Sequence, residues 1–176
     1  MESLDFQKLL AQYQSGERCF HRIKVDLADG FECNLQGIEL VEAIINTAYL
    51  PYSNLSRADL KNLVVKQGNL GDVKLAHSNL ERAQLSGVNL FRANLRYAQL
   101  REATLRTCNL SGADLTGADL TGADLSGAEL TGANLAEARL QGTNLMGATL
   151  FRAGGVDLTA AKCDRMTILP DGHYYA

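Results

Sequence analysis

Cysteine and histidine are the side chains of this 176-residue sequence best suited to binding a metal ion or to nucleophilic and acid–base catalysis. The four cysteines stand at positions 19, 33, 108 and 163, and their spacing matches neither a Cys-x-x-Cys pair nor a zinc-knuckle pattern. The three histidines, His21, His77 and His173, stand too far apart for a ligand pair or an acid–base pair. The sequence therefore predicts no catalytic residue, no metal site and no cofactor.

The remaining composition also argues against an enzyme. No phosphate-binding loop, nucleophile elbow or zinc-protease helix occurs, and the glycines recur at a regular spacing that indicates turns. The formal net charge of -3 offers neither an excess of positive charge for phosphates nor extreme acidity. The acidic residues near Met1 are unlike a secretory or transit peptide, and no apolar run approaches a membrane span. We therefore expect a cytoplasmic protein that is not an enzyme, does not enter membranes and does not favour nucleic acid.

A five-residue repeat organises the chain from Phe20 to Leu150. Every fifth residue is large and apolar except Gly30, and every fifth residue from Leu70 onward is leucine. A small residue, most often alanine, precedes each leucine by two positions, so that the unit reads Ala-(Asp/Asn)-Leu-x-x. Three cysteines continue this small position and are expected to fill the core: Cys33, Cys108 and Cys163. Cys19 is the cysteine expected at the surface.

A period of five fits neither a helix of 3.6 residues per turn nor a strand of period two. Within one unit, the small residue and the leucine are two apart, so a short extended segment points both to the same side. The next two positions, rich in Gly, Ser and Thr, suit a turn. The sequence therefore predicts stacked coils that bury a ladder of leucines and pair their backbones from coil to coil.

Residues 113–127 read ADLTGADLTGADLSG, and this pattern resembles the consensus of the pentapeptide-repeat family over about residues 20–168. The resemblance implies an all-β fold, a right-handed quadrilateral β-helix with four pentapeptides per coil, in which residues twenty apart stack on one face. At the spacing of β-strands, the repeat then gives about seven coils. The run Thr167–Gly172 is similar to the ends of cyanobacterial members and suggests such an origin.

The ends of a solenoid need caps, because exposed coil edges invite stacking with other chains. Residues 1–17 are predicted to form a helical cap, in which Ser3 is the N-cap and Gly16 ends the helix near Ser15. The apolar face of this helix is expected to lie over the first coil: Phe6, Leu9, Leu10 and Tyr13. Residues 18–168 form the β-helix in this interpretation.

The repeat changes phase once, near Gly154 and Gly155, and resumes three residues out of register. This shift predicts a bulged corner or a loosened last coil. Residues 169–176 read as a turn followed by an apolar tail. The tail either caps the last coil or mediates a homodimer through the C-terminal end.

Exposed aromatic side chains are the first candidates for partner binding. If residues twenty apart share a corner, then Phe31, Phe91 and Phe151 align along the axis, with Tyr49 and Tyr52 beside the first of them. Aromatic residues at the corners of a solenoid are suited to anchoring a protein partner. The alternative is that each aromatic ring braces neighbouring coils.

Charge is segregated along the chain. Residues 57–106 are mainly basic among their charged positions, whereas residues 111–137 carry acidic residues and no basic one. Three arginines of the basic segment join the candidate partner-binding residues: Arg92, Arg96 and Arg101. On four faces the acidic residues form a ring around the stack, which favours solvation over a single binding stripe.

These features predict a non-enzymatic interaction or scaffolding module whose partner is another protein. The family resemblance adds two settings. Some cyanobacterial members are linked to the control of cell differentiation, and another branch mimics duplex DNA and binds DNA gyrase. The second setting, kept as the alternative, requires an extended acidic face of phosphate-like spacing, and the basic middle of this chain interrupts such a face.

Overall fold

The structure is a computed structural model that describes residues 1–176. Its regular elements are β1 (Glu2–Ser3), α1 (Phe6–Gln14), β2 (Ile23–Asp29), β3 (Ile44–Tyr49) and β4 (Val64–Asn69). The four strands form one parallel sheet in the order β1-β2-β3-β4. Beyond β4 the chain continues as turns joined by single parallel bridges, so the β-rich fold with one short helix is confirmed.

Residues twenty apart pair throughout the repeat. Parallel bridges of this spacing run from Cys19↔Glu39 to Asn134↔Gly154, always at the position before an inward apolar residue. Backbone hydrogen bonds flank each bridge; the amide of Leu95, for example, donates to the carbonyl of Asp114 at 2.8 Å. The predicted stacking period is therefore confirmed, and all four sides of a coil share the same backbone pairing.

The corners between units are tight turns. In a typical corner the amide of Ala93 donates to the carbonyl of Leu90 at 3.0 Å. The second turn residue lies in the left-handed region, at φ 54° for Arg92 and 66° for Gly112. Side chains at the two turn positions point outward, which places Arg92 and its neighbours at the surface.

One corner is missing from the first three coils. There the chain runs straight through positions that would otherwise turn, and these extended segments are β2, β3 and β4. The second turn position of this corner is occupied by Leu27, Thr47 and Gln67 in these coils, and none of the three adopts a left-handed φ. The corner first turns at Gly87, where glycine accepts φ 71°, and Thr107 follows in the same conformation.

The core is a continuous ladder of leucine with alanine between the rungs. Leu90, Leu110 and Leu130 stack at the same position and have no solvent exposure, and the alanines two residues before each inward leucine are equally buried along this stretch. Fifty-one buried apolar residues form this cluster. Cys108 is buried within it, Cys33 and Cys163 are half-buried against it, and Cys19 is exposed, as the repeat predicts.

The N-terminal segment caps the first coil, but Ser3 is not the N-cap of its helix. Ser3 lies in β1 and pairs with Lys24, so its backbone is already committed to the sheet. Asp5 caps the helix instead, because its carboxylate accepts hydrogen bonds from the amides of Gln7 and Lys8 at 2.9 and 3.2 Å. The helix ends before Gly16, as predicted, and Gly16 adopts φ 106°.

The cap explains the one exception in the repeat. Phe6, Leu9 and Tyr13 are buried over the first coil, with Leu10 packed at the edge. A Cβ atom at Gly30 would lie 2.8 Å from the ring of Phe6. Phe6 therefore fills the space that a leucine side chain occupies in the other coils.

The phase break near Gly154 is confirmed, but it is not a bulge. Asn144 pairs with Lys162, eighteen residues later, and Thr149 pairs with Ile168, nineteen residues later. The last coil is therefore shorter than the others, and its apolar residues are only half-buried. Beyond it, Ile168 forms an antiparallel bridge with Tyr174, so the tail folds back along the last rung and covers part of its edge.

Candidate functional site

Phe31, Phe91 and Phe151 occupy the first turn position of the same corner, three coils apart. At the spacing of β-strands, three coils separate successive rings by about 14 Å along the axis. Their exposed fractions are 55%, 40% and 37%, which is high for phenylalanine. Pro51 and Gly71 lie on this corner between Phe31 and Phe91 and are buried, so neither residue covers the rings or bridges the gap between them.

The first of these rings lies in an aromatic group. Phe31 contacts Tyr52 edge to face, with ring centroids 5.6 Å apart. Tyr49 ends β3 and accepts a hydrogen bond at its carbonyl from the amide of Gly30, next to Phe31 in sequence. Both tyrosines are about half exposed. The structure therefore places the predicted residues Phe31, Tyr49 and Tyr52 at one end of the corner.

Phe151, at the other end, is partly covered by the C-terminal tail. A Cβ atom at Gly172 would lie 3.3 Å from its ring, and the guanidinium of Arg152 lies 5.0 Å from the ring centroid. Phe91, in the middle of the corner, has no aromatic partner. The alternative of bracing thus describes Phe31 and Phe151 better than Phe91.

The three candidate arginines form ion pairs between coils. Arg92 lies 3.3 Å from Asp72, and both Arg96 and Arg101 lie 3.0 Å from an acidic residue of the next coil, Asp114 and Asp119 respectively. Between about two fifths and two thirds of each arginine side chain stays exposed. The basic segment and the acidic segment therefore meet as a seam of ion pairs around the stack.

The acidic partners are held in the charged form. At Asp114, desolvation raises the pKa, but hydrogen bonds from Thr116 and from Arg96 outweigh it and lower the pKa below its usual value. The same balance at Asp119, with hydrogen bonds from Thr121 and the charges of Arg101 and Arg139, also lowers its pKa. These carboxylates are therefore engaged within the chain.

Sequence reasoning missed a second aromatic column on another corner. The ring of Tyr97 stacks on the imidazole of His77, with centroids 5.3 Å apart and planes 17° apart. Arg96 lies 5.6 Å from the Tyr97 ring, and a Cβ atom at Gly117 would overlap that ring. The twenty-residue spacing of His77, Tyr97 and Gly117 is the feature of the sequence that could have predicted this column.

A second missed cluster joins the first two coils. The thiol of Cys19 donates to the carboxylate of Glu39 at 3.2 Å, and Nε2 of His21 lies 3.0 Å from the same oxygen. The hydrogen bond to Glu39, followed by desolvation and the negative charges of Glu39 and Glu17, raises the pKa of the Cys19 thiol. Local spacing hides this cluster, because Glu39 arrives from the next coil, twenty residues after Cys19.

The interior of the solenoid has no room for a substrate. The gap along its leucine ladder measures about 20 Å³, which is room for about one water molecule. The larger grooves are open ones on the surface, such as that of about 460 Å³ between the N-terminal segment and β2. No helix of the structure is both long enough and apolar enough to cross a bilayer.

The pentapeptide-repeat family model matches residues 69–106 and 108–150, in eight copies of the repeat. A search of curated proteins gives no significant match. The family model, the similarity to a solved pentapeptide-repeat structure and the twenty-residue stacking of this chain agree. The chain belongs to the pentapeptide-repeat family, whose members are right-handed quadrilateral β-helices that generally serve as structural or interaction modules.

Among solved structures, the chain is similar to HetL, a pentapeptide repeat protein involved in heterocyst differentiation regulation from the cyanobacterium Nostoc sp. strain PCC 7120. The two are 26% identical with a TM-score of 0.62, over 98% of this chain and all of HetL. QnrB1, a plasmid-mediated fluoroquinolone resistance protein, is 18% identical over 96% of this chain and 89% of its own, with a TM-score of 0.42. A protein of the Arabidopsis thaliana thylakoid lumen is 30% identical over 55% of this chain and 68% of its own, with a TM-score of 0.40.

Proposed function

We propose that this protein is a non-enzymatic, cytoplasmic binding module that presents its outer surface to another protein. The observation that carries the proposal is the corner of Phe31, Phe91 and Phe151, in which exposed rings recur every three coils on a rigid backbone. Large exposed aromatic residues are typical of the anchors of protein interfaces. A narrow, filled core supports the same conclusion, because it leaves the surface as the place for function.

The proposed setting is a regulatory one, with a role in cyanobacterial cell differentiation. The likeness to HetL over nearly all of both chains supports this setting. From the family fold we also propose that this chain winds as a right-handed, four-sided β-helix of about seven coils. The domain limits that go with it are a cap over 1–17, a β-helix over 18–168 and a C-terminal tail over 169–176.

Arg92, Arg96 and Arg101 are proposed to lie at the rim of the interface. Arg92 follows Phe91 directly on the corner, so a partner that covers the ring reaches the guanidinium as well. Each arginine already has an acidic neighbour in the chain, and surface ion pairs of this kind contribute only about 0.2–1 kcal/mol. A partner carboxylate is therefore able to compete for them at small cost.

A homodimer through the C-terminal end is a further part of the proposal. Met166, Tyr174 and Tyr175 are exposed there, beside the half-buried apolar residues of the short last coil. Burying them against a second copy would remove apolar surface from water. Sedimentation of the full chain and of a Met166→Ser, Tyr174→Ser variant checks this part separately.

The acidic residues do not favour the alternative of a DNA mimic that binds gyrase. Asp114, Asp119 and Asp124 lie on successive sides of one coil, and each has an arginine within 4 Å. They do not form a line of free charges along the axis. A phosphate-like face requires such a line.

The test is cross-linked capture from a lysate of the source organism, using the wild type and a Phe31→Ser, Phe91→Ser, Phe151→Ser variant. Met146→Ser, which removes an exposed apolar side chain from another corner, is the matched control. We expect one partner to be captured by the wild type and the control but lost in the triple variant. Equal capture of gyrase subunits by all three proteins would instead support the alternative, and unchanged circular dichroism must accompany either result.

A further inference from the structure

Three side chains of different chemistry converge where the first coil meets the second. Cys19, His21 and Glu39 each offer one ligand atom, and the three atoms lie within 4.8 Å of one another. Two of the contacts share an atom, since the thiol of Cys19 and Nε2 of His21 approach the same carboxylate oxygen at 3.2 and 3.0 Å. Thiolate, imidazole and carboxylate are the ligand types that zinc uses in proteins.

Two of the three separations are close to those of a tetrahedral ion, and the third, between the Cys19 thiol and Nε2 of His21, is at most 4.8 Å. With the usual bond lengths from zinc to sulfur, nitrogen and oxygen, neighbouring ligand atoms of a tetrahedral site lie about 3.3–3.6 Å apart. The two contacts at Glu39 are within about 0.5 Å of those values, so small side-chain rotations would admit the ion. Three protein ligands with a water in the fourth position form a complete zinc coordination.

We propose that Cys19, His21 and Glu39 form a binding site for a divalent transition-metal ion, with Zn²⁺ as the ion that suits their ligand set. Binding replaces the thiol proton of Cys19 by a sulfur–metal bond, and the proton leaves to solvent. The site is independent of the aromatic corner, which lies on a different side of the coil.

The backbone holds two of the ligands in place before the ion arrives. Cys19 and Glu39 are partners in a parallel β-bridge, so their side chains leave the same face side by side. The amide of Phe20 donates to the carbonyl of Glu39, and the amide of Glu39 donates to the carbonyl of Arg18, both at 2.8 Å. Glu17 further orders this segment by accepting hydrogen bonds from the amides of Arg18 and Cys19.

A bound ion would join the two coils through side chains as well as backbone. Cys19 and His21 belong to the first coil, next to the end of the capping helix, and Glu39 belongs to the second. An ion that binds the folded protein and not the unfolded chain stabilises the fold. The expected consequence is slower exchange of the Phe20 amide and a higher melting temperature with the ion present.

The experiment titrates the full-length reduced protein with Co²⁺, whose complexes with thiolates absorb in the near ultraviolet through sulfur-to-metal charge transfer. We expect one equivalent of Co²⁺ to give this band, and Zn²⁺ to displace it. Cys19→Ser abolishes the band, while His21→Ala and Glu39→Gln each weaken binding at least about tenfold.

The matched controls are Cys163→Ser and His173→Ala, which remove the same chemical groups from the far end of the chain. They are expected to keep the band, the stoichiometry and the rise in melting temperature. The proposal is overturned if the wild type shows no charge-transfer band with excess Co²⁺. It is equally overturned if Cys19→Ser, shown to be folded by circular dichroism, binds the ion as well as the wild type does.

Discussion

The first coils and the later coils share one backbone and differ in what occupies their corners. From residue 20 to 107 the left-handed turn position holds arginine, glutamate, tyrosine, histidine and asparagine at almost every corner. From residue 108 to 150 glycine holds nearly all of these positions. A side chain in the left-handed region costs roughly 1–2 kcal/mol relative to the right-handed one, whereas glycine avoids that cost.

The difference shows that the long, polar and aromatic surface side chains are concentrated in the first region. The first region displays Tyr52, Tyr97 and most of the arginines on strained corners, together with the Cys19 cluster. The second region has a regular ladder with few long side chains at its corners, so it contributes stability and a stiff base. The seam between the two regions is the set of ion pairs from the arginines to Asp114, Asp119 and Asp124.

The largest effect tests whether the second region depends on its leucine ladder. Leu120→Lys places an ammonium group at a position with no solvent exposure and no carboxylate inside the core. We expect the variant not to fold, because the loss exceeds about 5 kcal/mol. The measurement is far-ultraviolet circular dichroism with a thermal melt, and Gln141→Lys on the exposed corner is the control. A soluble Leu120→Lys protein with an unchanged melt would refute the inward register.

The next effect tests the fit between the cap and the first region. Gly30→Leu restores the repeat but collides with Phe6, and we expect a loss of about 1–3 kcal/mol. Phe6→Ala empties the same space and costs about 3–5 kcal/mol. Urea unfolding of both single variants and the double variant gives the coupling energy. The double variant should lose clearly less free energy of unfolding than the two single variants lose together. Strict additivity would mean that Phe6 does not fill the place of a leucine.

A third effect tests the role of glycine in the second region. Gly132 has φ 66° and nothing within 4 Å of a new Cβ atom, so Gly132→Ala changes only the backbone strain. We expect a loss of about 1 kcal/mol. Gly154 also has open space but no left-handed φ, so Gly154→Ala is the matched control and should not destabilise. Equal urea midpoints for the two variants would remove the proposed difference between the regions.

The reverse change in the first region should have the opposite sign. Arg57 has φ 59° and forms no ion pair. Arg57→Gly therefore removes backbone strain from the folded state, while it also raises the conformational entropy of the unfolded chain. We expect the free energy of unfolding to rise by about 0.5 kcal/mol. Arg165→Gly, at an exposed position without a left-handed φ, controls for loss of the charge. Destabilisation by Arg57→Gly would show that its side chain supports the coil.

The smallest effect concerns the seam. Because the pKa of Asp114 is lowered in the folded protein, its contribution is present above the unfolded pKa of about 3.9 and is lost as the pH falls through the folded value. Asp114→Asn should therefore flatten the loss of stability below about pH 4, by less than about 1 kcal/mol because the side chain is partly exposed. Urea midpoints at about pH 7 and about pH 3 measure this effect. Gln141→Asn, which changes no charge on an exposed corner, is the control and should leave both midpoints as they are in the wild type.

Much of the fold follows from the spacing of Leu, Ala and the turn residues. The inward ladder, the capping helix and the position of the phase break were predicted from the sequence pattern, the stacking period of twenty was implied by the family resemblance, and all four are confirmed. The N-cap was wrong, since Ser3 and Asp5 both suit a cap and only pairing with β2 commits Ser3 to a strand. The missing corner was not predicted either, because Leu27 and Thr47 occupy an otherwise regular repeat.

The candidate surface divides in the same way. Spacing by twenty predicted that Phe31, Phe91 and Phe151 share a corner, and the structure places them there, while their role in binding stays a prediction. Spacing alone did not reveal that Phe151 lies against the tail or that the arginines are paired with acidic residues. Those contacts depend on side-chain rotamers and on chain segments that lie far apart in sequence.

The sequence by itself determined which residues face inward, because a strict period of five places the leucines and the small residues on one side of each unit, whereas the twenty residues per coil were implied by the resemblance to the pentapeptide-repeat family. Only the tertiary structure decided which surface groups meet. Cys19 and His21 contact Glu39 because a backbone bridge joins the two coils. Phe6 contacts Gly30 because the capping helix docks on the first coil. The physical reason is that burial is set by local pattern, whereas ligand geometry and packing depend on three-dimensional distances of a few ångströms.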